Sequence, residues 1–205
     1  FLQENVGSAP KLDVGIMSRA LGVYPVRINS NLVTAQLRDR YYWSNIRTKE
    51  DGMFGDLVTD IPQPKDRKIM FKDIIENGLN DNTQLPNLVY VKNEEVRVKT
   101  NTVDGYDVMT ENDCLNLAFP DSTTRRARVT KGKSPCLTEA NEPLYSLKHY
   151  SVRILSKVEL CRLQGFPDNW CDVISRNKAA SLLGDGWTLP VIEHIFQYLP
   201  FNKSN

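Results

Sequence analysis

Histidine is scarce: only His149 and His194 occur in 205 residues. The four cysteines, Cys114, Cys136, Cys161 and Cys171, stand far apart, with no Cys-x-x-Cys pair. Structural zinc draws on clustered Cys and His ligands at short spacing, so no metal is expected. No apolar run approaches the roughly 18–20 residues of a membrane span. No basic segment leads into an apolar one as in a signal peptide, so the thiols are expected to be reduced. One-sided charge is missing too. The 26 Lys and Arg nearly cancel the 25 Asp and Glu, for a net +1, which excludes a polybasic or an acidic tail protein. No segment repeats and none is low in complexity. An initial Met is also lacking; the chain starts at Phe1, and the expectation is a piece of something longer.

What is there suits a folded α/β chain. Hydrophobic residues at 40% and charged residues at 25% can build a core, so wholesale disorder is excluded. The length fits one domain or two small ones. Phe1-Leu2 reads as the end of a buried strand and Glu4-Asn5-Val6-Gly7-Ser8 as a loop after it. Val14, Ile16, Met17, Ala20 and Leu21 fall near helical spacing, and Gly22 ends that helix. Pro25 to Ile28 and Tyr41-Tyr42-Trp43 read as strands. Between about 48 and 137 the text changes to Pro, Asn, Asp and short apolar pieces. It predicts a separate small domain of short strands and long loops, with strands at 88–91 and 95–99 and an amphipathic helix at 71–79. Regular helices then return. Ser156-Lys157-Val158-Glu159 is a capping box, and Gly165 stops the helix it opens. A second helix fits 175–183 with Ser175 as cap. A third starts near Thr188, with Pro190 in its first turn and Val191, Ile192, Ile195, Phe196 and Leu199 on one stripe.

Three segments carry possible chemistry. Glu4-Asn5-Val6 puts a carboxylate directly after a strand end, where α/β sheets bind ligands, although a lone loop Glu is ordinarily a solvated charge. Gln36-x-Arg38-x-Arg40 sets two arginines two residues apart in extended chain, suited to an anion, a base edge or a structural salt bridge. Arg153 to Pro167 includes Arg162-Leu163-Gln164-Gly165-Phe166-Pro167. It is followed by Leu183-Gly184-Asp185-Gly186-Trp187-Thr188-Leu189-Pro190-Val191, whose Gly-Asp-Gly alone reads as a turn. Separately, Thr123 to Lys133 holds five basic residues, Arg125, Arg126, Arg128, Lys131 and Lys133, and no acid. Such a run is either a phosphate-contacting loop or a solvated basic face.

Order and spacing together resemble the C-terminal part of DNA cytosine-5 methyltransferases. Glu4-Asn5-Val6 resembles the family's Glu-Asn-Val motif and Gln36-x-Arg38-x-Arg40 its Gln-x-Arg-x-Arg motif. Arg153, Glu159, Arg162 and Gln164-Gly165-Phe166-Pro167 resemble the penultimate motif, and Gly184 to Val191 the last. The resemblance implies the late part of a Rossmann-like, S-adenosylmethionine-dependent domain, in residues 1–47 and 138–205. A small irregular target-recognition domain would be inserted at 48–137.

The resemblance also implies roles. Glu4 would share a proton with a flipped cytosine, Arg40 would hold the ring carbonyl oxygen, and Arg38 would brace the pocket or a phosphate. Asn5, Asp185, Gly186 and Trp187 would line part of the S-adenosylmethionine site. Arg125, Arg126, Arg128, Lys131 and Lys133 would contact duplex DNA, with Arg able to read guanine. The family's Gly-rich donor motif and its Pro-Cys-Gln nucleophile loop are absent, and belong upstream of Glu-Asn-Val, on the same chain or on a partner subunit. Pro135-Cys136 lies in the wrong place to replace them and reads as the closing strand of the recognition domain. Asp185 stands where many relatives carry Asn. The implied setting is the cytoplasm of a bacterium or phage host, or a nucleus. The competing reading is a catalytically dead relative that binds DNA or regulates a sister enzyme. An unrelated α/β domain is the third.

Overall fold

Capping chemistry sets the helices where the sequence puts them. The computed structural model describes residues 1–53, 55–79, 85–117, 127–139 and 143–200. Its first part is β1 (Leu2–Val6), α1 (Lys11–Leu21), β2 (Val26–Asn29) and β3 (Asp39–Ser44). Gly22 ends α1 at φ +69°, a left-handed conformation open to glycine at little cost. Short strands follow: β4 (Thr48–Asp51), β5 (Asp56–Thr59), β6 (Val89–Lys92), β7 (Glu95–Lys99), β8 (Tyr106–Met109), β9 (Cys114–Asn116) and β10 (Arg128–Thr130). The rest is β11 (Leu144–Lys148), β12 (Ser151–Ile154), α2 (Lys157–Gln164), α3 (Arg176–Asp185) and α4 (Leu189–Phe196).

The sheets run β1-β3-β2, β4-β5, β6-β7-β8 and β10-β9-β11-β12. Every pairing between these strands is antiparallel. The chain is therefore mixed α/β, and a mostly parallel sheet is not among the described strands. Three further expectations are corrected. Glu4-Asn5-Val6 is strand rather than loop, because β1 pairs with β3 along its whole length, from Leu2↔Ser44 to Val6↔Arg40. The helix expected at 71–79 is a single 3-10 turn, Phe71–Ile74. Phe71 and Ile74 are buried by that one turn, and the Glu76 amide then bonds the Glu159 carboxylate at 2.8 Å instead of a helical carbonyl. The closing strand expected around Cys136 is an extended strap joined to Gln36 by an isolated parallel bridge at Ser134. Its bonds are Ser134 N–H to Ala35 C=O, 2.7 Å, and Leu37 N–H to Ser134 C=O, 2.8 Å.

Three cores hold these pieces. One gathers Leu160, Leu163, Ala179 and Leu183 of α2 and α3 around Phe71, Ile74, Leu137 and Leu155. A second fills the space among β6, β7, β9 and β12 with Val89, Val98, Leu115 and Val152. The third packs α4, through Val191, Ile192 and Ile195, on Ile28 and Tyr42 of the first sheet. Phe196, expected on the same stripe, sits at the surface.

The start of α2 is fixed by a buried ion. Ser156 Oγ accepts the Glu159 N–H at 3.2 Å, and Glu159 accepts the Ser156 N–H at 2.8 Å. The same carboxylate takes two bonds from Arg153, 2.8 and 2.6 Å, and is fully buried. Removing one member of a buried pair strands the other charge, at a cost of about 3–5 kcal/mol. Glu159→Ala should therefore lose about that much stability in urea unfolding, and Arg153→Met added to Glu159→Leu should recover part of it. A single variant within about 1 kcal/mol of wild type would mean the pair is not a keystone of this fold.

Candidate functional site

Antiparallel pairing of β1 with β3 brings Glu4 and Arg40 together. Glu4 sits opposite Tyr42, two residue pairs from Arg40 opposite Val6, so the two side chains are diagonal neighbours on one face. Arg40 Nε meets Glu4 Oε1 at 2.8 Å, with the side chains only 15% and 11% exposed. Burial raises the Glu4 carboxyl above its ordinary 4.5, against the opposing charges of Arg38 and Arg40 and the bond from Arg40. Tyr42 lies buried opposite Glu4, and burial pushes its phenol up as well.

Arg38, just before β3, is 4% exposed and spends its donors on backbone. Nη1 reaches the carbonyls of Leu137, 2.9 Å, and Gly184, 3.1 Å, and Nη2 reaches that of Gly186, 2.9 Å. Only its Nε, also buried, lacks a partner among the described residues. Arg38 thus joins the β3 edge, the 134–138 strap and the end of α3. Gly184 permits this closeness: a Cβ there would stand 2.3 Å from the Thr138 carbonyl oxygen. Two glutamines repeat the device. Buried Gln36 donates to Leu163 C=O and accepts the Leu137 N–H at 2.7 Å. Buried Gln164 donates to Leu183 C=O and accepts from Thr188 Oγ1 at 2.8 Å.

The result is an open cavity of about 420 Å³ lined by Glu4, Asn5, Arg38, Arg40, Thr138, Asp185 and Trp187, among others. Three of the separated sequence segments meet here. Asp185 is exposed, and the Trp187 indole is 43% exposed. The Asn5 amide is partly engaged, donating to Met17 Sδ at 3.3 Å and accepting the Val6 N–H at 2.8 Å.

Sequence reasoning missed the place of Cys136. Its Sγ accepts from Arg38 Nη1 at 3.2 Å and Arg40 Nη2 at 3.5 Å, and donates to Leu137 C=O at 3.1 Å. It is the one cysteine of the four that is not fully buried. The bridge from Gln36 to Ser134 brings it there, and no local sequence pattern announces such a bridge.

The basic run divides. Arg125 and Arg126 lie outside the described residues, and Arg128 is exposed on β10. Lys131 pairs with Asp113 at 3.1 Å and bonds the Val108 carbonyl. Lys133 is spent internally, giving its three ammonium hydrogens to the carbonyls of Asn31, 2.8 Å, Thr34, 3.0 Å, and Ile69, 2.6 Å. Burial lowers its pKa, partly countered by Asp66 and Asp73. It is a tie between segments rather than a free cation, and we do not carry it forward as a DNA contact.

Comparison with known proteins gives the family. The family model for C-5 cytosine-specific DNA methylases matches residues 26–200. The chain belongs to that family. The match takes in Arg38, Arg40 and the 184–191 segment of this methylase chain, while Glu4 and Asn5 precede it. A solved structure of an E. coli prophage-encoded protein, named as a DNA modification methyltransferase, is similar at 17% identity and a TM-score of 0.49. It covers 97% of this chain and 68% of that one. The family assignment rests on the family model alone.

The raised Glu4 carboxyl has a measurable consequence. The folded methylase chain binds that proton more tightly than the unfolded chain. The Glu4 contribution is therefore full below the ordinary value of 4.5 and is lost as the pH rises through the elevated one. Glu4→Gln removes this titration. The Tm of the variant minus that of the wild type should increase from about pH 4.5 toward neutrality. A difference that stays flat with pH would show that Glu4 titrates normally.

Proposed function

We propose that this chain acts in DNA cytosine-5 methylation, supplying the base pocket, target recognition and part of the donor site. The observation that carries the reading is the buried Glu4–Arg40 pair opening on a cavity shared with Asp185 and Trp187. Methylating a ring carbon of cytosine needs a nucleophile on the neighbouring carbon and relief of the negative charge that develops on the ring. Burial raises the Glu4 pKa, so this carboxyl takes up a proton more readily than an exposed one and could share it with a ring nitrogen. Arg40, whose Nε meets Glu4 and which lines the cavity, would hold the ring carbonyl oxygen as charge accumulates. Arg38 is a positioning residue. Its two Nη groups bond carbonyls of three residues and its Nε is buried, so it braces the pocket rather than reaching a phosphate.

The cavity suits S-adenosylmethionine at its other side. The exposed indole of Trp187 offers a flat apolar face and Asp185 an anion for a polar or cationic donor group. When bound, that cosubstrate would supply the methyl group as an electrophile. Asn5, Asp185, Gly186 and Trp187 would bind and orient it. Cys136 accepts a bond from each of the two guanidiniums and is not among the cavity's lining residues, so we assign it no nucleophilic role. The attacking cysteine and the main donor motif would come from another segment, on the same chain or a partner subunit.

Two exposed features support such a segment. The β1 edge away from β3 carries no partner strand among the described residues. Beside it, α1 buries only Ser18, while Leu12 and Ile16 are 71% and 51% exposed. An open edge and an apolar helix face are both liabilities unless covered. We take residues 1–47 and 138–205 as the late part of a Rossmann-like domain that this segment completes, and 48–137 as the inserted recognition domain. Duplex DNA would meet Arg125, Arg126 and Arg128 there.

Methyl transfer to cytosine-containing duplex by the complete enzyme tests the reading. Glu4→Gln and Arg40→Ala should each lower kcat at least about 100-fold, the usual worth of a proton-sharing group or an oxyanion donor. Near-normal turnover in Glu4→Gln would remove the base-pocket assignment. The 205-residue chain alone should self-associate in sedimentation experiments through β1 and α1. A monodisperse, cooperatively unfolding monomer would argue that nothing covers them.

A further inference from the structure

Residues 65–72 read Lys-Asp-Arg-Lys-Ile-Met-Phe-Lys, outside every motif considered so far. Lys65, Arg67, Lys68 and Lys72 are all exposed. None of the four charged groups makes an ion pair or hydrogen bond with another described residue. The nearby acids do not neutralise them. Asp66 accepts the Lys68 N–H and Asp73 the Met70 N–H, each at 2.7 Å, and neither forms an ion pair with any of the four among the described residues. The stretch thus carries four exposed cations against the single carboxylate of Asp66, a local excess of positive charge. Four like charges in eight residues repel one another in the free protein, and an anion laid across them relieves that repulsion.

The segment is also held in a definite place. Lys133 bonds the Ile69 carbonyl, and the Phe71 N–H bonds that of Gly132 at 2.9 Å. Arg67 N–H bonds the Leu32 carbonyl at 2.7 Å. From Gly132 the chain continues through Ser134, paired with Ala35, to Cys136 on the two guanidiniums and Thr138 in the cavity wall. Extended chain covers at most about 3.5 Å per residue, so Gly132 and Thr138 are within roughly 20 Å of each other. That is the scale of a few base pairs of duplex, with one phosphate charge per about 1.7 Å of axis.

We propose that residues 65–72 form a phosphate-contacting rail, along which the backbone of the duplex lies while a base occupies the cavity. The inference rests on the DNA-methylating reading and adds where the duplex runs. The rail supplies affinity and orientation without sequence choice, which stays with base-edge contacts elsewhere.

The test is the salt dependence of binding to a short synthetic duplex by the native protein. Each phosphate contact contributes about 0.9 to the slope of log K against log salt. Replacing Lys65, Arg67, Lys68 and Lys72 by Gln should lower that slope by about 3.6 if all four engage, and by at least about 2. A control with Lys11, Arg19, Arg27 and Lys178 changed to Gln alters net charge equally on exposed positions outside 48–137 and should leave the slope in place. If the fourfold variant fails to fold by circular dichroism, Lys65→Gln with Arg67→Gln, and Lys68→Gln with Lys72→Gln, should each lower it by about 1.8. A smaller change in a folded variant, or an equal change in the control, overturns the rail while methyl transfer by the wild type keeps the functional reading. A wild type that neither binds duplex nor methylates it sinks both.

Discussion

A single buried guanidinium organises this protein. Arg38 lies at the meeting point of three stretches far apart in sequence and bonds a backbone carbonyl of residues 137, 184 and 186. Without it those carbonyls would lose a charged donor, at about 1–3 kcal/mol for each one left buried and unsatisfied. With it, the wall that carries Asp185 and Trp187 is set against the strand pair that carries Glu4 and Arg40. Gln36 and Gln164 extend the same scheme to α2 and α3. The site is thus made by side-chain-to-backbone bonds, and the apolar cores hold those bonds in register.

Two other charged side chains do related work. Glu159 joins Arg153 of β12, the first turn of α2 and the Glu76 amide. Lys133 joins the loop at 31–34, the 69–71 stretch and the strap leading to the cavity. Each connects residues between 48 and 137 to the elements around the cavity. A cation or anion that must be satisfied accepts very few arrangements, so these contacts fix relative placement better than apolar packing, which tolerates sliding.

Much of this was legible in the sequence, for local reasons. The capping box at Ser156, the stops at Gly22 and Gly165, and Pro190 in a first turn are short-range chemistry that tertiary context left intact. The grouping of Glu4, Arg38, Arg40, Asp185 and Trp187 followed from motif order. What failed depended on long-range partners. The helix expected at 71–79 was cut to one turn because a distant carboxylate satisfied the next amide. Glu4 joined a strand because β3 was available to pair with it. Lys131 and Lys133 look in sequence like their neighbour Arg128, yet their ammonium groups are taken by Asp113 and by main-chain oxygens. Cys136 reached the arginines through one bridge between residues 98 apart. None of these partners is visible in a window of ten or fifteen residues.

The manner in which Arg38 holds the wall has an evolutionary consequence. It grips peptide oxygens, which every amino acid possesses. The residues on the far side of those bonds can therefore be exchanged without loosening the clamp, apart from Gly184, where the neighbouring backbone leaves no room for a side chain. A scaffold clamped in this way can receive a rewritten insert between its two ends and still close around the same cavity. The insert is then free to diversify while the walls of the cavity stay fixed.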